Sequence, residues 1–243
     1  MTALFFAHAL HVVAVCLSKQ AHPPNKELTM RRLLLLGFAL LTLVGCQSAY
    51  YSALEKVGLH KRDILVDRVE DARDSQQQAK EQFKDALERY RSVVQVQGGE
   101  LEERYDALNS EFEASKNSAR DVRNRIEAVE DVADALFKEW KQELGEYSNA
   151  SLKAASAKDL ERTQRDYREL LQRMKAAEKR IDPVLDVLRD QVLYLKHNLN
   201  ARAIGALQGE YRTLEGNVDQ LLADMQRAID EAESFIRQLQ STK

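Results

Sequence analysis

Cys46 carries the one side chain whose setting points to a definite chemistry. It follows Leu43, Val44 and Gly45, so an aliphatic residue, a tolerant position and a small residue stand directly before a thiol. Small side chains fit a peptidase cleft beside a scissile bond, and a thiolate is nucleophilic enough to take a diacylglycerol group. Upstream, Met30-Arg31-Arg32 is a short positive segment, and Leu33 to Val44 is an apolar run of 12 residues broken only by Gly37 and Thr42. A run of that length falls short of the roughly 20 residues that cross a bilayer. It matches the apolar part of a secretory signal. The alternative, a buried cysteine on an apolar stretch, accounts for neither the basic flank nor the small residue.

Residues 43–46 resemble the lipobox of bacterial lipoproteins at all four positions. One acyl chain anchors a protein only reversibly, and stable attachment takes at least two. The resemblance implies a thioether-linked diacylglycerol with an added N-acyl chain, and so a firm membrane anchor at Cys46 behind a signal over residues 30–45. Residues 1–29 are read as an upstream extension assigned from a wrong start, with a genuine N-terminal extension as the other reading. Either way they stand outside the fold.

The chain from Cys46 onward is acidic. The whole sequence has 36 Lys and Arg against 39 Asp and Glu. Removing residues 1–45 takes away four basic side chains and one acidic one, which leaves 32 against 38 and a formal charge of −6. A nucleic-acid binder would show a basic excess, so no nucleic-acid partner is expected. Of the two cysteines, Cys16 lies in the removed part and Cys46 carries the lipid. No disulfide can therefore form within the mature chain, and its stability must come from packing.

Other chemistry is poorly supported. There is no Gly-rich loop ending in Lys-Ser or Lys-Thr, and no Gly-x-Ser-x-Gly. His60 and His197 are the only histidines after Cys46 and lie far apart, so neither a metal site nor a cofactor is expected. His197 reads as a solvated or capping residue near a helix C-terminus. Carboxylate pairs such as Glu102-Glu103 and Glu130-Asp131 read as solvated helix surface. No catalytic residue is assigned.

These residues need helices to carry them. Ala, Leu, Glu, Arg, Lys and Gln abound and Pro183 is the only proline after Cys46, a composition suited to long amphipathic helices. Apolar residues recur at alternating steps of four and three in four series. The first runs Leu65, Val69, Ala72, Gln76, Ala79, Phe83, Ala86, Tyr90, Val93 and Gln97; the second runs Leu101, Tyr105, Leu108, Phe112, Ser115, Ala119, Val122, Ile126, Val129, Ala133, Leu136 and Trp140. The third passes Leu160, Tyr167, Leu170, Met174, Ile181 and Leu188 to Leu199, and the fourth Leu207, Leu214, Leu221, Met225 and Phe235 to Leu239. An average step of 3.5 residues keeps one seam apolar over many turns. The fold class is thus all-α: an elongated antiparallel helical bundle or coiled coil of four long helices over residues 63–243, each of about 35 to 45 residues and roughly 50 to 68 Å.

The breaks have their own chemistry. Gly98-Gly99 followed by Glu100, Glu102 and Glu103 favours a turn and a new helix N-terminus, where carboxylates meet free N–H groups. A four-residue stutter within a continuous helix is the alternative. Gly145 is expected as the C′ residue of the second helix. Glu146 to Ala155 then reads as a loop, and Ser156 with Asp159 as a capping box for the third helix. The third seam runs in phase through Asp182-Pro183, which favours one kinked helix there. Asn198 and Asn200 mark the last turn. Trp140 reads as a core residue that fills the seam.

Residues 46–62 form the tether. Tyr50, Tyr51, Leu54 and Val57 recur at near-helical spacing, and Lys56, His60, Lys61 and Arg62 follow. Tyrosine suits a membrane interface, and basic side chains suit anionic headgroups. A short interfacial helix using Tyr50, Tyr51, Leu54, Lys61 and Arg62 is one expectation. An ordinary linker packing on the bundle is the other.

The chain from Cys46 to the C-terminus is similar to a family of bacterial envelope lipoproteins classed as domain of unknown function 2959. The pieces that carry this are Gly98-Gly99-Glu100-Leu101, Leu136-Phe137-Lys138-Glu139-Trp140 and Leu195-Lys196-His197-Asn198-Leu199-Asn200-Ala201. The resemblance implies a coiled-coil-like domain on a lipid anchor and brings no activity with it. Gln47 is not the aspartate that commonly holds lipoproteins at the inner membrane, so outer-membrane attachment facing the periplasm is expected by analogy. The reading that results is a non-catalytic scaffold or adaptor that meets an envelope protein or a second copy of itself. A membrane-associating or remodelling module is the alternative, and an enzyme a distant third.

Overall fold

The structure is a computed structural model and describes residues 60–95, 101–198 and 201–241, with backbone alone for 201–203. Among these residues there are four helices and no strand: α1 Lys61–Gln95, α2 Leu101–Glu143, α3 Ala150–His197 and α4 Ala201–Ser241. They hold 35, 43, 48 and 41 residues, or roughly 52 to 72 Å at 1.5 Å per residue.

Contacts between helices fix their directions. Lys61 meets Glu139, Asp71 meets Arg125, Gln82 meets Glu111, and Arg104 reaches the Val93 carbonyl. Partners on α2 therefore run backward as α1 runs forward. Across the other face of α1, Arg62 reaches the Leu239 carbonyl, Lys80 meets Gln226, and the Tyr90 hydroxyl donates to the Leu207 carbonyl at 2.9 Å. Phe137 against Tyr167 with Glu130 against Lys175, and Tyr167 against Phe235 with Arg180 against Asp224, give the same antiparallel sense to α2–α3 and α3–α4. Each helix packs along two neighbours with only slight contact across the diagonals, and α2–α3 is the least closely packed face. The chain thus reverses between Gln95 and Leu101, which excludes an unbroken helix. Gly98 and Gly99 themselves lie outside the described residues.

The seams become the core. From Leu65 to Val93 every residue of the first series is buried, as are the members of the third from Leu160 to Leu195. In the fourth series only Tyr211 is half-buried. The second series is buried from Ser115 to Leu136, but Leu101, Tyr105, Phe112 and Trp140 are half-exposed. Both ends of α2 therefore extend beyond its closest packing. Pro183 lies within α3 and points outward, while Ile181 and Val184 beside it are buried. The amide hydrogen bond that proline cannot make belongs to the carbonyl of exposed Lys179, which water can satisfy.

The α2–α3 connection differs from expectation in three places. Gly145 lies in a turn, its N–H bonded to the Gln142 carbonyl at 2.9 Å. Its backbone does not enter the left-handed region, so it is not a C′ glycine of the usual kind. The third helix starts at Ala150, not near Ser156. Its cap is Asn149, whose Oδ1 accepts from the N–H groups of Ser151 at 2.9 Å and Leu152 at 3.1 Å. Those donors would otherwise lack partners at a helix start. Ser156 instead accepts from the Trp140 indole N–H at 2.8 Å, a contact between helices.

Two polar residues occupy the seam without partners. Gln76 is fully buried, and neither its amide nitrogen nor its amide oxygen has a hydrogen bond; the Ser115 hydroxyl is in the same position. A buried polar group left unpaired costs about 1–3 kcal/mol. A lone polar seam residue also discriminates between helix registers at the expense of stability. We predict that Gln76→Leu raises unfolding stability by about 1–3 kcal/mol. Urea titration followed by circular dichroism checks this, and an unchanged or lowered midpoint would show that the Gln76 amide is satisfied in solution.

Candidate functional site

Most of the chemistry read from the sequence falls outside the described residues: Leu43, Val44, Gly45, Cys46, Tyr50, Tyr51 and Leu54 are all there. Lys61 and Arg62 are described, and both are engaged by the bundle. Lys61 is 8% exposed, and its Nζ donates to Glu139 Oε1 at 2.9 Å. Arg62 Nη2 donates to the Leu239 carbonyl at 2.8 Å. These cations tie the start of α1 to the end of α2 and the end of α4. His60 carries the cap of α1, its carbonyl accepting from Asp63 and Ile64. Removing the Glu139 carboxylate takes a charge-assisted hydrogen bond from a buried ammonium. Glu139→Ala is predicted to destabilise the protein by about 1.5–3 kcal/mol and to speed amide exchange in the first turns of α1, as read by hydrogen–deuterium exchange.

Past that level α2 and α3 continue as a hairpin. Residues 141–143, 145–149 and 150–155 are all exposed, and Leu144 is half-exposed. Tyr147 is 41% and Leu152 57% exposed, the latter the most exposed large apolar side chain among the described residues. Trp140, expected in the core, is half-buried at the base of this tip. At the opposite end Leu193 and Tyr194 are exposed on α3. Sequence spacing missed both patches, because their apolar residues lie off the seam and carry no periodic signal.

The outer faces are polar. An open groove of about 470 Å³ runs between α1 and α2, lined by Asp71, Asp74, Ser75, Gln78, Asp121, Asn124, Arg125 and Ala128. Arg125 already donates to Asp71 there at 2.9 Å. No cluster of three metal-ligating side chains occurs among the described residues. His197 closes α3 as an exposed residue, as expected, and Glu102 and Glu103 are solvated. No helix among the described residues is long and apolar enough to cross a membrane.

Titratable groups are perturbed for structural reasons. Burial, with Glu210 nearby, pushes the Tyr90 hydroxyl well up; burial, with Glu130 and Asp134, does the same to Tyr167. Both phenols therefore stay neutral. Burial raises the Glu231 carboxyl, and Glu169 beside it adds to this, so ionised Glu231 opposes folding at neutral pH. For Asp224 burial alone would raise the pKa, but hydrogen bonds from Arg227 and Arg180 outweigh it and hold the carboxyl below its ordinary 3.8. A depressed carboxyl stabilises the fold above its unfolded pKa, and that contribution is lost as pH falls through the folded one. Stability is accordingly predicted to fall below about pH 4. Asp224→Asn should be less stable at neutral pH and should lose less on acidification, as shown by urea midpoints measured across that range.

Residues 50–239 match the family described as Protein of unknown function (DUF2959). The match covers most of the chain, and the protein belongs to this family. No curated protein and no solved structure is similar enough to match it.

Proposed function

We propose that this protein is a lipid-anchored helical scaffold or adaptor of the bacterial envelope. It is held through Cys46 and acts through contacts between proteins, without catalysis. Outer-membrane attachment facing the periplasm is the location this reading favours. The observation that carries it is the order of parts along the chain. A basic segment, a short apolar run and Leu43-Val44-Gly45-Cys46 precede a bundle whose apolar seams pack against one another. Packing uses the interior, so recognition falls to the outer faces and the ends. A membrane-associating module is the second reading, and the exposed Tyr147 and Leu152 favour it.

Blocking the lipoprotein signal peptidase in cells is expected to accumulate a lipidated, uncleaved precursor. Normal processing under that block would refute the anchor. Photo-crosslinking in cells from exposed bundle positions is expected to capture a defined envelope protein or a second copy. Crosslinks to small substrates alone would favour an enzyme.

A further inference from the structure

The α2–α3 tip and the start of α1 share one end of the bundle. Lys61 touches Glu139, and the next residue, Trp140, is bonded to Ser156. From that level α2 runs on for three residues to Glu143, and α3 starts six residues before Ser156, roughly 9 Å of helix rise on the α3 side. Among the described residues α1 starts at Lys61 and α4 stops at Ser241. We infer that this tip is a lipid-contacting element: Tyr147 and Leu152 enter the headgroup region of the membrane to which Cys46 is attached. The inference rests on the anchor reading above.

Three observations converge on a lipid surface as occupant. The first is reach. Thirteen residues lie between Cys46 and His60, a span of at most about 50 Å when fully extended. A lipid on Cys46 therefore tethers this end of the bundle within that distance of the membrane, and among the described residues the tip projects furthest at this end. The second is side-chain type. Tyr147 and Leu152 are exposed, with half-buried Trp140 and Leu144 behind them, and Trp and Tyr are the residues that settle at membrane interfaces. The third is charge. Lys141, Lys153, Glu143 and Glu146 are all exposed on the tip, and Lys138 and Lys158 are exposed just below it. Glu139 is taken by Lys61 and Asp159 by Arg162. The tip is thus neutral on an acidic protein and carries no net charge to repel anionic headgroups. The patch at Leu193 and Tyr194 has the same side-chain types but lies at the far end of α3, away from the end where α1 starts.

Trp140 is the only tryptophan in the chain, so its emission reports on the tip without a label. The full-length lipidated protein is placed in vesicles of phosphatidylethanolamine and phosphatidylglycerol, with and without brominated acyl chains. Flotation of the wild type and of Cys46→Ser reads the anchor separately. The expected result is co-flotation of the wild type and quenching of Trp140 by the brominated lipid. Quenching should be lost in Tyr147→Asp/Leu152→Asp, which still floats and keeps its helical circular dichroism. Both substituted residues are exposed, so the fold should tolerate the change. A wild type that floats with Trp140 unquenched overturns the tip contact and leaves the anchor standing. A crosslink between two copies at position 147 would then assign the tip to self-association. A wild type that does not float, with unmodified Cys46, refutes the anchor and the tip contact with it.

Discussion

An apolar stripe that recurs every 3.5 residues has no stable place in water, and each of these helices carries one. A lone helix would leave its stripe exposed and gain too little from its own hydrogen bonds to persist. Laying four such stripes together in alternating directions removes most of their length from solvent. The other features follow from this constraint. Helices of similar length match seam to seam, the reversal between Gln95 and Leu101 is brief, and the buried hydroxyl of Tyr90 finds a carbonyl on α4. The constraint also has exceptions, since Gln76 keeps its seam position at the expense of two unsatisfied polar atoms.

That constraint explains what could be read in advance. The spacing of Leu65 to Val93 and of Leu160 to Leu195 named buried residues without reference to any partner, because a periodic pattern is a property of the strip of helix that carries it. Single-residue signals fared worse. Asn149, placed in a loop, is the cap of α3, and Ser156, placed at the cap, serves Trp140 across the α2–α3 face. Asparagine and serine both accept hydrogen bonds, and only the fold decides which amide or indole comes near. Lys61 shows the same limit, since its pairing with Glu139 joins residues far apart in sequence. The exposure of Tyr147, Leu152, Leu193 and Tyr194 depends on where neighbouring helices end, which no local pattern records.

The larger hollows among the described residues are open grooves between helices. The groove between α1 and α2 is open, and its charges are partly spent on each other. What distinguishes the molecule is asymmetry between its ends. One end gathers the start of α1, the basic ties of Lys61 and Arg62, and the projecting α2–α3 hairpin. The family is one of unknown function, so the proposed role rests on that asymmetry and on the Leu43-Val44-Gly45-Cys46 stretch.

The account stands on attachment of one terminus to a membrane, and intact-mass spectrometry of the protein extracted from its native membrane tests this most directly. The expected species begins at Cys46 and carries the added mass of a diacylglycerol with an N-acyl chain. A chain that retains residues N-terminal to Cys46, with its thiol unmodified, would contradict it.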